Sequence, residues 1–389
     1  MNPVIPIAEF SQRVKKAQAL MVQKGIDVMF AFSNEAEPHN VRYFSDYWPS
    51  FETAAVLFGQ TGDPILLIGP ESLTFAKDRS KISEIRRIKC LRESSNPEYP
   101  GEKLDTILEA IQTVTTGKVS KLAVAGYNLA PKIVFDDLEE ALRAYPGAEI
   151  VRGDDLVMEL RKIKSPAEIA CLRKAGEITH LAMRHMIENI RPGMTEQQVV
   201  GLGIQAIYEN GGECEAYPFW SLAGHGSNQA ISRPRNKVIG AQDYVHLCAG
   251  ARYEGYAASV GRGVFFGTPD PWVVDAIKRG YDAEDLVLSE LYDGNNAGTV
   301  AKKYFDFMAK TGHDKYLLYG PCHATGLMEG EPPWIESISD YTIHENMCYC
   351  IDIFMGNPNG LGLRVEDSVR VGKTGGDNYT SFPKEIFKK

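Results

Sequence analysis

The chain has 389 residues, 44% of them hydrophobic and 24% charged, with a formal net charge of −9. That is globular composition, with enough apolar material for two cores and a length that favours two domains. The acidic balance, with no basic run or basic-aromatic stripe to offset it, excludes phosphate-backbone binding as a main task, so no nucleic-acid partner is expected.

Residues 8–25 place Phe10, Val14, Ala17, Leu20 and Met21 on one helical face. The first residues contain neither the apolar h-region nor the cleavage site of a secretory signal. Short apolar runs at 28–32, 54–58, 64–68 and 122–125 read as strands, and 102–114 and 132–145 as helices. This alternation predicts an α/β domain over residues 1–158. A second domain is expected over residues 159–389. Ser165, Pro166 and Glu168 supply an N-cap, an N1 proline and a capping box, so a long helix should run from there to about residue 189. Thr195 with Gln198 repeats that pattern for the next helix. Strands at 245–250, 253–256 and 260–266, helices at 271–291 and 299–310, and a strand-rich final third predict an α+β second domain. No apolar run reaches the roughly 18 residues of a membrane span, so no membrane partner is expected. The seven cysteines, an odd count spread over the chain without an export signal, predict reduced thiols and a cytoplasmic location, and Cys348-x-Cys350 does not have zinc-knuckle spacing. Cys348 and Cys350 are explained most simply as neighbours on one face of a strand.

Polar residues gather in five segments, at 225–233, 248–262, 321–333, 349–354 and 363–369, the first three of which carry glycine. Glycine beside titratable groups lets a ligand approach the backbone closely. The stretch from Val245 to Arg262 resembles the signature hairpin of the creatinase, prolidase and aminopeptidase P family. His323-Ala-Thr-Gly-Leu-Met-Glu-Gly-Glu-Pro-Pro333 is similar to that family's His-Gly-x-Gly-Leu and Glu-Pro-Pro stretch. Tyr349-Cys-Ile-Asp352 and Arg364-Val-Glu-Asp-Ser368 are similar to its last two motifs, and residues 161–169 to the linker between its domains. The resemblance spans essentially the whole chain. It implies a pita-bread α+β domain preceded by a smaller α/β domain.

Peptidases of that family hold two metal ions on two Asp, one His and two Glu. By resemblance these positions fall on Cys248, Ser259, His323, Asp352 and Glu366, of which only His323 and Glu366 are unchanged. A neutral serine and a thiol do not replace bridging carboxylates, so no dinuclear site is expected and no cofactor is assigned. A single ion on Cys248, His323, Asp352 and Glu366 is left open. Creatinase, which works without metal, shares the cysteine and the stretch of residues 39–51. That likeness implies a homodimer in which Trp48 and Phe51 close the partner's site. Arg233 and Gly261 stand at or beside the positions of its catalytic His and Glu, and Thr53 near that of its substrate-gripping Arg, so creatine is not the expected substrate.

The resulting expectation is a metal-independent hydrolase or lyase acting on a small polar molecule at a C–N bond. His323, Asp352, Glu366 and His225 are the catalytic candidates, and Arg233, Cys248, Ser259, Phe51 and Trp48 the substrate-binding ones. Crowded carboxylates without metal charge repel, so one should rise towards neutrality and serve as an acid beside a base. Arg233 offers a rigid fork of donors to a carboxylate. Two alternatives stay open: an Xaa-Pro aminopeptidase or prolidase-type metallopeptidase with an altered metal site, and a non-catalytic binding protein of the same fold.

Overall fold

A computed structural model describes residues 2–358 and 360–389. They divide into two compact units, Pro6–Arg161 and Lys162–Lys389, the latter joined by the first residues of the chain. Among the described residues, no helix is long and apolar enough to cross a membrane.

The amino-terminal unit contains α1 (Ile7–Lys24), β1 (Val28–Ser33), α2 (His39–Ser45), β2 (Ala54–Gly59), β3 (Ile65–Ile68), α3 (Leu73–Arg79), β4 (Ile85–Arg87), α4 (Ile107–Val114), β5 (Lys121–Ala125), α5 (Lys132–Leu142), β6 (Glu149–Arg152) and α6 (Asp154–Arg161). The strands form one sheet in the order β4-β3-β2-β1-β5-β6. β1 and β2 are buried along their whole length, which is why they read as continuous apolar runs and not as alternation. The helix expected from residue 102 starts only at Ile107. Thr106 caps it, with Glu109 returning a bond to the Thr106 N–H, and this capping box sets the boundary.

The carboxy-terminal unit opens with α7 (Pro166–Asn189) and α8 (Glu196–Glu209), each beginning at the capping box that the sequence predicts. There follow β7 (Cys214–Glu215), β8 (Trp220–Ala223), β9 (Tyr244–Tyr253), β10 (Tyr256–Phe265), α9 (Pro271–Glu290), α10 (Ala297–Thr311), β11 (Cys322–Ala324), β12 (Glu331–Ile335), β13 (Cys348–Gly356), β14 (Gly362–Val371), β15 (Gly376–Asn378) and β16 (Phe387–Lys388). The main sheet runs β12-β11-β13-β14-β10-β9-β7, with β8, β15 and β16 pairing onto β9, β14 and β10. The sequence reads 253–256 as a strand, but these residues form the turn between β9 and β10. Glu254 (φ 48) and Gly255 (φ 83) are both left-handed, as a two-residue hairpin turn of this hand requires.

Register builds the site. Cys248 lies opposite Gly261, Gly261 opposite Glu366, and Glu366 opposite Asp352. Cys350 lies opposite both His323 and Ser368. Directly opposed residues share a face, and residues two apart on a strand do too. His323, Cys350, Asp352, Arg364, Glu366, Ser259 and Cys248 therefore point to one side of the sheet. The other side carries Ile351, Ile353 and Val365, which join Val273, Ile277 and Val287 of α9 and Val300 and Tyr304 of α10 in the core.

Candidate metal centre and substrate cavity

His323 is buried on β11. Its Nδ1 lies 3.1 Å from the Ala324 carbonyl oxygen, which can only accept, so Nδ1 carries the proton and Nε2 presents a lone pair. Nε2 faces Glu329 Oε1 at 3.5 Å, and the ring packs against Trp334 at 5.2 Å between centroids. With Cys350 and Glu366 these residues form a group whose donor atoms all lie within 4.8 Å of one another. A lone pair, a thiol and two carboxylates directed at one point repel unless a proton or a cation lies among them.

Two observations mark that crowding. Glu366 is 1% exposed, and its Oε2 accepts no hydrogen bond from any described residue. Burial, with the charges of Asp352 and Glu329, pushes its carboxyl well above the usual range against the opposing effect of Arg364. Burial and the charges of Glu329 and Glu366 likewise push the Cys350 thiol up. A divalent cation reverses both tendencies, and mixed imidazole, thiolate and carboxylate donors suit zinc and its neighbours. The residues present fit one such ion.

They do not fit a pair. Cys248 Sγ lies 3.1 Å from His246 Nε2, while His246 Nδ1 faces the Ser227 carbonyl at 3.4 Å, so a neutral imidazole accepts from the thiol. Burial, reinforced by the Arg364 charge, pushes His246 down to about 3. Burial holds the Cys248 thiol well up. Ser259 Oγ is 2.9 Å from the Tyr217 hydroxyl. Asp352 Oδ2 accepts from Tyr319 at 2.8 Å, and its Oδ1 lies 3.3 Å from Arg364 Nε.

A cavity of about 530 Å³ opens over this centre. Tyr217, Trp220, Tyr319 and Trp334 contribute to its walls, His323, Glu329, Asp352 and Arg364 also line it, and residues 230–233 include the exposed Arg233. His225 does not line it: it is exposed, with Nδ1 3.4 Å from the Gly360 carbonyl. Trp48 and Phe51 belong to the amino-terminal unit. There the Trp48 indole donates to the Glu35 carbonyl at 2.8 Å, and Phe51 is 83% exposed. The set weighed from sequence for a single ion held Cys248 and Asp352 where the structure gathers Cys350 and Glu329. Sequence reasoning missed Glu329, Cys350 and Arg364 as site residues. Period-two spacing from Asp352 and Glu366 was the available signal for the last two. Glu329 comes from a loop and carried none.

Residues 170–373 match the profile of metallopeptidase family M24, and residues 13–163 that of the creatinase/prolidase N-terminal domain. The chain belongs to metallopeptidase family M24. This M24 chain is 24% identical over 375 residues to an Xaa-Pro dipeptidase of Pyrococcus furiosus, covering 96% of the chain and 99% of the relative. It superposes on the crystal structure of an X-Pro aminopeptidase from Thermotoga maritima with a TM-score of 0.82, at 21% identity and covering 96% and 99% of the two chains. The prolidase from Pyrococcus horikoshii gives 0.81 at 22% identity, covering 97% and 100%. These likenesses carry the fold, which is the pita-bread α+β architecture behind a creatinase-type domain that the motifs predict.

Membership of M24 makes the chain a hydrolase of peptidase type, and it overturns the expected metal-independent hydrolase or lyase. The physical reason lies in the donor count. The sequence reading weighed only the inherited ligand positions, two of which are lost, whereas the fold brings Glu329 and Cys350 to His323 and Glu366.

Proposed function

We propose that the chain is a metal-dependent peptidase of the Xaa-Pro dipeptidase type, acting on small dipeptide-like substrates with an altered metal site. One observation carries this reading: His323, Glu329, Cys350 and Glu366 converge beside an aromatic-walled cavity, with Glu366 Oε2 unsatisfied. Xaa-Pro dipeptidase relatives aligned over nearly the whole chain support it. A cavity of about 530 Å³ suits a dipeptide better than a long chain. Trp220, Tyr319 and Trp334 offer flat apolar faces to a prolyl ring. Arg233 offers its fork to the substrate carboxylate.

A divalent ion held by His323, Glu329, Cys350 and Glu366 supplies Lewis-acid polarisation of the scissile carbonyl and acidifies water. Around it the chain's own groups orient one another. Tyr319 donates to Asp352 Oδ2 and the Arg364 guanidinium faces its Oδ1, which accepts no hydrogen bond from any described residue, so these two groups hold Asp352 at the edge of the centre. Trp220 and Trp334 keep bulk water from the reacting groups. The reading extends to a cytoplasmic homodimer, supported by seven free thiols and by the exposed Phe51, with mass in solution as its check.

The test is release of proline from Xaa-Pro dipeptides before and after chelation. Activity should fall at least about tenfold when metal is removed and return on adding zinc, manganese or cobalt. Undiminished turnover by protein shown to be metal-free would defeat the proposal.

A further inference from the structure

The lining of the cavity includes a permanent cation of the chain's own. Arg364 lies two residues before Glu366 on the same face of β14 and is 7% exposed. Its guanidinium donates to the Ala230 carbonyl at 2.7 Å and the Tyr319 hydroxyl at 2.9 Å. It lies 3.3 Å from Asp352 Oδ1 and 3.8 Å from Glu366 Oε2, and sits over the Trp220 ring at 4.6 Å. Nη2 makes both hydrogen bonds, while Nε faces Asp352 as an ion pair without a hydrogen bond among the described residues. Gly261 makes the room for it: a Cβ there would lie 3.1 Å from Arg364 Cγ and 3.0 Å from Glu366 Cβ.

Where the charges stand decides how many ions fit. Glu329, Asp352, Glu366 and a Cys350 thiolate carry four negative charges when ionised and Arg364 one positive, so one divalent ion leaves a net charge of about −1 with the guanidinium still facing Asp352. Cys248 and Ser259 add none, since the thiol is given to His246 and the hydroxyl is shared with Tyr217. A second divalent ion would sit beside a guanidinium with no carboxylate from β9 or β10 to hold it, and like charges at a few ångströms in a buried site repel strongly.

We propose that the chain binds a single divalent cation on His323, Glu329, Cys350 and Glu366, and that the Arg364 guanidinium takes the place of a second, with Asp352 as its counter-ion. The inference rests on the peptidase reading only for what the ion is used for. Cys350 binds as the thiolate and its proton passes to solvent.

The full chain is stripped, loaded with excess zinc or cobalt(II), freed of unbound metal and analysed for metal per protein. The expected ratio is one; a ratio of two, or no retained metal, overturns the proposal. The cobalt form should show sulfur-to-cobalt charge-transfer absorption that Cys350→Ser removes and Cys248→Ser keeps. The reverse pattern overturns the ligand assignment. Arg364→Met, confirmed folded by circular dichroism, should raise the ratio towards two or tighten cobalt binding at least about tenfold by releasing Asp352. A folded variant unchanged in both respects speaks against the guanidinium's role, and if it does not fold, the wild-type ratio and the cysteine pair still decide. One ion per chain without Xaa-Pro hydrolysis would sink the peptidase reading alone. Two ions with full hydrolysis would sink this inference alone.

Discussion

Gly261 shows how much of the site depends on a missing atom. Its neighbours across the sheet, Glu366 and the stem of Arg364, already occupy the space that a β-carbon would need. Gly261→Ala should therefore destabilise the protein by about 1–3 kcal/mol, the usual cost of overpacking. Urea unfolding measures this, and a variant as stable as wild type would show that the arginine moves freely. Residue-scale legibility follows the same logic. His323 and Glu366 were readable because they keep their family positions and chemistry. Glu329 and Cys350 were not, because their importance comes from where a loop and a second strand place them, and a linear motif compares each position only with its own precedent.

Among the elements, the helices announce their starts. Ser165 accepts from the Glu168 N–H while Glu168 accepts from the Ser165 N–H, which fixes the first turn of α7. Ser165→Ala should cost about 1 kcal/mol, read as a lower urea midpoint with an unchanged slope. An unchanged midpoint would mean that packing alone sets the start of α7. Where such signals were absent or overlooked, the sequence reading slipped. It carried a helix back to residue 102 past the Thr106 cap, and it read 253–256 as a strand across the turn at Glu254 and Gly255. The pairing of strands was beyond reach from sequence. Only register reveals that Cys248, Gly261, Glu366 and Asp352 form one row across four strands.

At the scale of the whole molecule, the two-unit fold was legible because apolar runs, caps and several motifs all agreed. The proposed metal site was not, because it depends on how β11, β13, β14 and a loop bring separate side chains together. Acid stability tests a buried balance. His246 is fully buried and its folded pKa falls from 6.5 to about 3. Below pH 6.5 the unfolded chain takes up a proton that the folded chain refuses, so stability is lost as pH falls from about 6.5 towards about 3 and is unaffected above that window. The slope is that of one proton, about 1.4 kcal/mol per pH unit. Urea unfolding at pH 5 and pH 7 should show this loss in the wild type and a reduced loss in His246→Gln; equal acid sensitivity in both would exclude His246 as its source. The aromatic walls have a consequence of another kind. Two of the four tryptophans stand against the groups whose charge state matters most, Trp220 under the Arg364 guanidinium at 4.6 Å and Trp334 beside the His323 ring at 5.2 Å. Indole emission responds to adjacent charge, so the protein's own fluorescence is an optical gauge of what its cavity contains.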